Sequence, residues 1–230
     1  MINLIDLIYI ERNLLSDEEC DIIVYENIKN ETYNENSLNE KLNISYSGGK
    51  VSNVNPYKKS IDILNKKTYE IIEQYYFYLK DFKFFLPEVL IKSFKYSHNY
   101  RFLTYNVNDD FHSHIDWEED NSYTGSCTIN LSSDYDGGEL SFFNFNHDVK
   151  LEKGDVVIFP ASAFFTHGVK KITRGVRYCV NSFLCPRMLK YANFYYDKNL
   201  KISKKYKHEF DFKYEKKMLE NVLLQFMPKN

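Results

Sequence analysis

The sequence has little of what marks several classes of protein. It holds 4 cysteines in 230 residues, and none of them forms a C-x-x-C pair. A disulfide framework is therefore not expected, and a reducing compartment is the default. The apolar runs fall short of the roughly 18 residues that a bilayer span needs. The amino-terminal stretch MINLIDLIYIERN is interrupted by Asp6 and lacks the basic start of a signal peptide. We expect a soluble, intracellular protein with no membrane partner.

Neither sign of charge dominates the chain. Lysine and arginine number 30 against 32 acidic residues, for a formal net charge of -2. No global basic field would recruit nucleic acid, so nucleic acid is not expected as a partner. Local basic runs such as KISKKYKHEF are typical of a solvated face. The charge pattern gives no indication of oligomeric state.

The first third of the chain predicts helices beside short strands. Residues 6–11 predict a short strand. Ser16 and Glu19 have the spacing of a capping box, which predicts that a helix begins there. Residues 31–56 are polar and predict a loop region with short strands at best. Apolar residues at helical spacing over 58–80 predict a long amphipathic helix packed on a sheet.

After Pro87 the pattern changes to short β-rich runs separated by turn residues. Strands of this length and spacing predict a sandwich or barrel, so we expect a mainly β fold with flanking helices. The chain becomes polar and basic after Pro186, and YEKKMLENVLLQFM predicts a final amphipathic helix. The β-rich runs between Pro87 and Pro186 are SFKYS, RFLTYNV, FHSHIDW, GSCTINLS, GELSFFN, DVKLEKGDVVIFPA, THGVKKI and VRYCVNSFL.

The stretch DDFHSHIDWEED is rich in groups that bind metals. On an extended strand His112, His114 and Asp116 face the same way, with neighbours about 6.6 Å apart and the two ends about 13 Å apart. One metal can bind neighbours in this row but hardly both ends. The local pair is therefore either His112 with His114 or His114 with Asp116. His167 is the candidate for a third ligand, and two histidines with one carboxylate are typical of non-haem Fe(II) oxygenases.

From Arg101 onward the sequence resembles the 2-oxoglutarate/Fe(II) dioxygenases, in particular their prolyl 4-hydroxylase-like branch. The matching segments are YNVNDDFHSHID, GGELSFF, KGDVVIFPA, THGV and RGVRYCV, and NLLSDEECDIIV resembles the start of that domain. The resemblance covers roughly residues 7–185. Its specific part is the order and spacing of the H-x-D pair, of His167 and of Gly175-x-Arg177.

The resemblance implies the architecture of the chain. Residues 1–186 would form one dioxygenase domain, with helical support over 1–90. A double-stranded β-helix, or jelly-roll, core would follow over about 91–186. Residues 187–230 would be a carboxy-terminal extension that is partly helical.

The resemblance also implies cofactors and the residues that bind them. His114, Asp116 and His167 would hold Fe(II), and Arg177 would pair with the distal carboxylate of 2-oxoglutarate. Tyr105 would place its phenol within reach of the same co-substrate. O2 is the other co-substrate, and ascorbate is the expected reductant. A guanidinium suits this role because it grips a carboxylate through two hydrogen bonds and keeps its charge.

Strand alternation adds candidates at the mouth of the barrel. Arg177, Cys179 and Asn181 alternate with apolar residues and should point into it. Asn181 and His112 are candidates for the rim or for substrate contact. Trp117 is a further candidate, although an orientation away from the metal ligands favours core packing.

The implied reaction is hydroxylation of an unactivated C–H bond, with release of succinate and CO2. Proline in a peptide or protein is the leading substrate, and the 31–56 segment is long enough to cover an extended chain. Hydroxylation of free amino acids or other small molecules uses the same kind of site. A cupin-type dioxygenase would instead use His112, His114, Glu118 and His167. A catalytically inactive binding domain is the remaining alternative.

Overall fold

The computed structural model describes residues 3–30, 32–34, 48–54, 58–81, 87–94, 96–116 and 123–186. Trp117 and the predicted 187–230 extension, with its final helix, lie outside the described residues. A 3-10 helix spans Leu4–Leu7, and the α-helices are α1 (Asp17–Asn27), α2 (Lys59–Asp81) and α3 (Pro87–Lys92). The strands are β1 (Tyr9–Glu11), β2 (Tyr33–Asn34), β3 (Lys50–Asn53), β4 (Tyr96–Tyr105), β5 (Phe111–His114), β6 (Gly125–Asn130), β7 (Tyr135–Gly137), β8 (Leu140–Phe142), β9 (His147–Val149), β10 (Val156–Pro160), β11 (His167–Val169), β12 (Ile172–Gly175) and β13 (Arg177–Cys185).

The helix predictions are confirmed where the signals were local. Ser16 Oγ accepts a hydrogen bond from Glu19 N at 3.2 Å, and the Glu19 carboxylate accepts one from Ser16 N at 2.9 Å. This capping box begins α1, and the amphipathic segment over 58–80 is α2. Among the described residues, no helix combines the length and the apolar character that crossing a membrane requires.

The predicted strand over residues 6–11 is wrong in its first half. Leu4–Leu7 is a 3-10 helix, because the Asp6 carboxylate accepts a hydrogen bond from Asn3 N at 2.9 Å and closes a turn. Extended structure is limited to β1, whose Tyr9 lies opposite Ile158 of β10.

Two facing sheets form the jelly-roll core, which confirms the mainly β fold class. Of the strands that the structure describes, seven form a major sheet in the order β1-β10-β6-β13-β4-β3-β2. Four form a minor sheet in the order β5-β11-β8-β9, and β12 pairs with β7. All described pairings are antiparallel, so each major-sheet strand presents alternate side chains to its two faces.

Strand β4 shows how the major sheet separates its two faces. Tyr100 donates a hydrogen bond to Thr68 of α2 at 3.1 Å, so one face is covered by the helices. The alternate side chains of β4 point to the opposite face. They include Arg101, Leu103 and Tyr105, which line a cavity there. The long helix therefore stabilises the sheet from behind and leaves its other face available for a site.

Two glycines permit the close approaches that shape this cavity. A Cβ at Gly168 of β11 would lie 2.5 Å from Phe111 O, so glycine lets β5 approach and pair with β11. Gly175 has φ +73°, and a Cβ there would lie 2.0 Å from Asp134 O. Only glycine adopts this turn without strain, and the turn leads directly into Arg177.

Candidate functional site

Three side chains from neighbouring segments of the minor sheet meet at one point. One ligand atom from each of His114, Asp116 and His167 lies within 4.8 Å of the others. The Asp116 carboxylate lies 3.3 Å from Nε2 of His114 through Oδ1, and 3.3 Å from Nε2 of His167 through Oδ2. Donor atoms at adjacent positions around a metal, each bound at about 2.1 Å, lie about 3 Å apart. The cluster is therefore of the right size to hold one metal ion.

Backbone carbonyls set the orientation of both imidazoles. His114 Nδ1 lies 3.0 Å from His112 O, and His167 Nδ1 lies 3.1 Å from Phe165 O. A carbonyl oxygen only accepts hydrogen bonds, so each Nδ1 carries the proton and donates. In the neutral form of each ring, Nε2 then directs a lone pair toward the carboxylate. Lone pairs on nitrogen and oxygen repel at this distance unless a cation lies between them, which makes the site suited to a metal.

The charge state of the carboxylate agrees with this arrangement. Burial alone would raise the pKa of Asp116. Without a metal, positive charge on His167 and His114 next to the carboxylate outweighs burial and holds the pKa of Asp116 well below its usual range. Asp116 is thus ionised and available as a ligand at neutral pH.

Of the two local pairs, the structure brings His114 together with Asp116. Strand β5 ends at His114, so the expectation that His112, His114 and Asp116 share one extended strand is wrong. The chain leaves the strand after His114, and this change of direction brings Asp116 toward His167. Pairing across the sheet places His167 directly opposite His114. Among the described residues, the cluster includes these three and not His112.

His112 lines the cavity beside the cluster. Its ring centroid lies 5.8 Å from that of His114, and its carbonyl holds the His114 ring. Burial and the nearby His114 lower the pKa of His112, although Asp110 raises it. Of the alternative cupin set, His112 does not join the cluster among the described residues, and Glu118 lies outside them.

Arg177 lies on the major sheet, within the same cavity. Its side chain is buried, with a relative exposure of 1%, and it is among the largest fully buried side chains described. Its Nε donates to Asn130 Oδ1 at 3.1 Å, and its Cζ lies 5.7 Å from the Tyr105 ring centroid. Its Nη1 is buried without a hydrogen-bond partner among the described residues. An unsatisfied buried guanidinium nitrogen is costly, which suits a group that binds an anion.

Asn130 holds the arginine in place and was not predicted from the sequence. Its Nδ2 donates to the carbonyls of Ser132 at 2.8 Å and Leu151 at 3.2 Å. These bonds fix the amide so that Oδ1 faces Arg177, and Tyr135 also donates to that oxygen at 3.2 Å. Strand periodicity identifies Asn130 as a buried polar residue only once β6 is known to lie beside β13.

The cavity between the sheets has a volume of about 230 Å³. It brings together most of the residues predicted for the site, including Asn181 and Cys179 on the predicted face of β13. The predicted residues that line it are Tyr105, His112, His114, Asp116, His167, Arg177 and Asn181. Arg101, which the sequence did not single out, also lines it. Arg174 lies on β12 outside this cavity, where it is exposed and its guanidinium pairs with Asp136 at 2.5 and 3.3 Å.

The fold and the site together define a class of protein. A jelly-roll places two histidines on the minor sheet and a carboxylate just after the end of β5, in the same cavity as a buried arginine on the major sheet. Three ligands on one side leave room for further ligands on the other, as in metal-dependent oxygenases.

Comparisons with known proteins agree with this class. Residues 100–185 match the family described as the 2OG-Fe(II) oxygenase superfamily. This segment contains the three clustered side chains and Arg177. Over this segment the chain is similar to the 2OG-Fe(II) oxygenase superfamily.

Curated relatives match a shorter segment. A PKHD-type hydroxylase, HEAR3399 of Herminiimonas arsenicoxydans, is 45% identical over 58 residues, which is 24% of this chain and 25% of that protein. The PKHD-type hydroxylase Smlt1146 of Stenotrophomonas maltophilia is 34% identical over 88 residues, or 34% of this chain and 38% of that protein. The chain thus spans about a quarter to two fifths of the length of these curated relatives.

Solved structures share the fold over most of the chain. A viral collagen prolyl hydroxylase from Paramecium bursaria chlorella virus-1 covers 79% of this chain and 96% of its own, at TM-score 0.59 and 16% identity. A prolyl-4-hydroxylase of Pseudomonas putida covers 79% of this chain and 93% of its own, at TM-score 0.55 and 15% identity. A prolyl hydroxylase of Trichoplax adhaerens, in complex with a hypoxia-inducible-factor peptide, covers 79% of this chain and 84% of its own. Its TM-score is 0.58 and its sequence identity is 12%. The fold is therefore that of prolyl hydroxylases.

Proposed function

We propose that this protein is an Fe(II)- and 2-oxoglutarate-dependent dioxygenase that hydroxylates an unactivated C–H bond. The observation that carries the proposal is one cavity shared by the cluster of His114, Asp116 and His167 and by buried Arg177. The cluster supplies a metal site, and the arginine supplies a fixed positive charge. No other group in the cavity is needed to account for a keto-acid bound between them.

The donor set fits Fe(II). Two neutral imidazoles and one carboxylate bind Fe(II) on one face and leave the opposite positions open for exchangeable ligands. His114 and His167 receive support from the backbone carbonyls described above, which keep their Nε2 lone pairs aimed at the metal position. Phe159 and Phe142 lie around His167, with ring centroids 4.9 and 5.8 Å from the imidazole, and limit the access of water to it.

Arg177 fits the distal carboxylate of 2-oxoglutarate. The Nε contact with Asn130 fixes the plane of the guanidinium, and buried Nη1 remains as a donor without a hydrogen-bond partner among the described residues. A carboxylate bound there satisfies this donor and neutralises the buried charge. Tyr105 lies directly opposite Arg177 in the strand pairing and lines the same space. When bound, iron and 2-oxoglutarate supply the oxidising chemistry, with succinate and CO2 as the co-products; ascorbate would keep the metal reduced.

The proposed substrate is proline in a peptide or protein. Its support is the resemblance to prolyl 4-hydroxylases and the shared fold. Gly49 also lies close to the site, since a Cβ there would lie 2.9 Å from the Tyr105 ring.

The test is a panel of proline-containing peptides, free amino acids and short oligonucleotides. Each is incubated with the protein, Fe(II), 2-oxoglutarate and ascorbate, and the products are analysed by mass spectrometry. We expect a gain of one oxygen atom on proline together with an equivalent amount of succinate. Oxidation confined to free amino acids or nucleobases would contradict the substrate while keeping the reaction type.

A further inference from the structure

Behind the cavity, one amide side chain uses its whole capacity for hydrogen bonds. Asn130 of β6 is fully buried, with a relative exposure of 0%. Its Oδ1 accepts from Arg177 Nε at 3.1 Å and from the Tyr135 hydroxyl at 3.2 Å. Its Nδ2 donates to the carbonyls of Ser132 and Leu151. An amide has two donor hydrogens and two acceptor lone pairs, so these four contacts fix the orientation of this one.

Tyr135 of β7 supports the same amide. Its hydroxyl lies 3.2 Å from Leu151 O as well as from Asn130 Oδ1, so one phenolic proton serves two acceptors. Burial raises the pKa of Tyr135, although the nearby charge of Arg177 opposes that shift. The phenol is therefore protonated at neutral pH and acts as a donor. A Cβ built at Gly138 would lie 3.3 Å from both Arg177 Cδ and the Tyr135 ring, so the backbone packs against both side chains.

These contacts limit how far Arg177 can move. Its Nε is held by Asn130, and its Cζ lies 5.7 Å from the centroid of the Tyr105 ring. Its buried Nη1, which has no hydrogen-bond partner among the described residues, is the donor that remains for a ligand. Neither Asn130 nor Tyr135 is among the described residues that line the cavity. Their influence on a ligand therefore passes through Arg177.

A fixed arginine and a fixed metal cluster set a single separation between two binding groups. In the minor sheet, backbone carbonyls hold the rings of His114 and His167. An oxo acid that binds at both places must therefore have one particular chain length. A free arginine follows a longer acid by changing its side-chain rotamers, whereas a held arginine does not. Holding Arg177 thus turns the recognition of charge into the recognition of length.

We propose that Asn130 and Tyr135 are positioning residues that make the cavity selective for an oxo diacid with the length of 2-oxoglutarate. They do so by holding Arg177 at one distance from the metal cluster. The inference rests on the proposed function, since it takes 2-oxoglutarate as the acid that binds between the two. It assigns the choice of co-substrate length to two side chains that do not touch the co-substrate.

The test compares the binding of three 2-oxo acids rather than their turnover. Calorimetric titrations are made under argon with Fe(II)-loaded protein, so that no oxidation occurs. 2-Oxoglutarate is the reference. 2-Oxoadipate has the same charge and one more carbon, and 2-oxopentanoate has the same length without the distal carboxylate. We expect the parent protein to bind 2-oxoglutarate about 10-fold or more tightly than either of the others, because each of them loses hydrogen bonds to a charged group.

Two variants assign the preference for length. Asn130→Leu removes the oxygen that accepts from Arg177 Nε. Its preference for 2-oxoglutarate over 2-oxoadipate should fall to about one, while a preference over 2-oxopentanoate persists because the charge of Arg177 remains. Tyr135→Phe removes one hydroxyl and keeps the ring. It should lower the preference for length by about 2- to 10-fold, and it decides the question by itself if Asn130→Leu does not fold.

Tyr75→Phe is the matched control. The Tyr75 hydroxyl is also buried and donates to Leu7 O at 2.8 Å, but it lies outside the cavity, so both preferences should stay at their parent values. A purely structural role for Asn130 and Tyr135 would lower the affinity for all three acids by the same factor. The inference is overturned by a preference for length that is unchanged in either variant, or by a parent protein that binds 2-oxoadipate as tightly as 2-oxoglutarate.

The result is separable from that of the proposed function. Succinate formation in air tests the oxygenase reaction by itself. A parent protein that forms succinate, but whose preference for length does not depend on Asn130 and Tyr135, contradicts only the roles of these two residues. A parent protein that binds none of the three acids contradicts the proposed function and the inference with it.

Discussion

Arg177→Met should raise the concentration of 2-oxoglutarate needed for half-maximal succinate formation by about 100-fold or more. The variant removes a bidentate, charged contact in a buried position, and hydrogen bonds to charged groups contribute about 1.5–3 kcal/mol each. Iron binding should persist, because the cluster of His114, Asp116 and His167 lies on the opposite sheet. The measurement is a titration of succinate formation with 2-oxoglutarate, accompanied by an iron assay.

Arg174→Met is the matched control for this prediction. Arg174 is exposed and paired with Asp136 on β12, so its loss should leave the 2-oxoglutarate requirement unchanged. Arg177→Lys keeps the charge but loses the planar pair of donors, and it should fall between the parent and Arg177→Met. If the 2-oxoglutarate requirement stayed unchanged in Arg177→Met and rose steeply in Arg174→Met, the carboxylate-binding role would belong to Arg174.

Replacing any one of the three clustered side chains should remove bound iron and abolish succinate formation. His114→Ala, Asp116→Ala and His167→Ala each take away one of three protein ligands. Loss of an outer-shell partner alone costs about 10–100-fold in metal affinity, so loss of a direct ligand should cost more. The measurement is the iron content of each variant after gel filtration, compared with that of the parent.

Two other histidines provide controls for the ligand assignment. His147→Ala changes a histidine of β9 outside the cavity and should keep both iron and activity. His112→Ala should keep its iron, because His112 lines the cavity without joining the cluster. A cupin-type site would give the reverse pattern, with iron lost in His112→Ala and kept in Asp116→Ala.

Much of the fold could be predicted because its signals are local. The capping box of Ser16 and Glu19 is made by residues three apart, and the face of α2 repeats every turn. The face of β13 that carries Arg177, Cys179 and Asn181 follows from alternation along one strand. The glycine at position 175 also has a local reason, since its backbone has a positive φ, which favours glycine whatever surrounds it.

The rest depends on which strands become neighbours, and a single sequence does not give that register. Asn130 reaches Arg177 because β6 pairs with β13, and Arg101 faces the cavity because β4 pairs with the other edge of β13. The choice of Asp116 over His112 depends on where β5 ends and on the opposite position of His167. The prediction from strand periodicity extended the strand through Asp116. It therefore could not choose between the pair of His112 with His114 and the pair of His114 with Asp116.

The most direct measurement of the central claim is succinate formation by the purified parent protein without any added substrate. Dioxygenases of this kind turn over 2-oxoglutarate slowly when uncoupled, as the family resemblance implies. We expect succinate to form with Fe(II), 2-oxoglutarate and ascorbate in air. It should disappear when oxygen or iron is withheld and in His167→Ala. Succinate that forms equally without iron, or equally in His167→Ala, would contradict the account, as would iron-loaded protein that forms none.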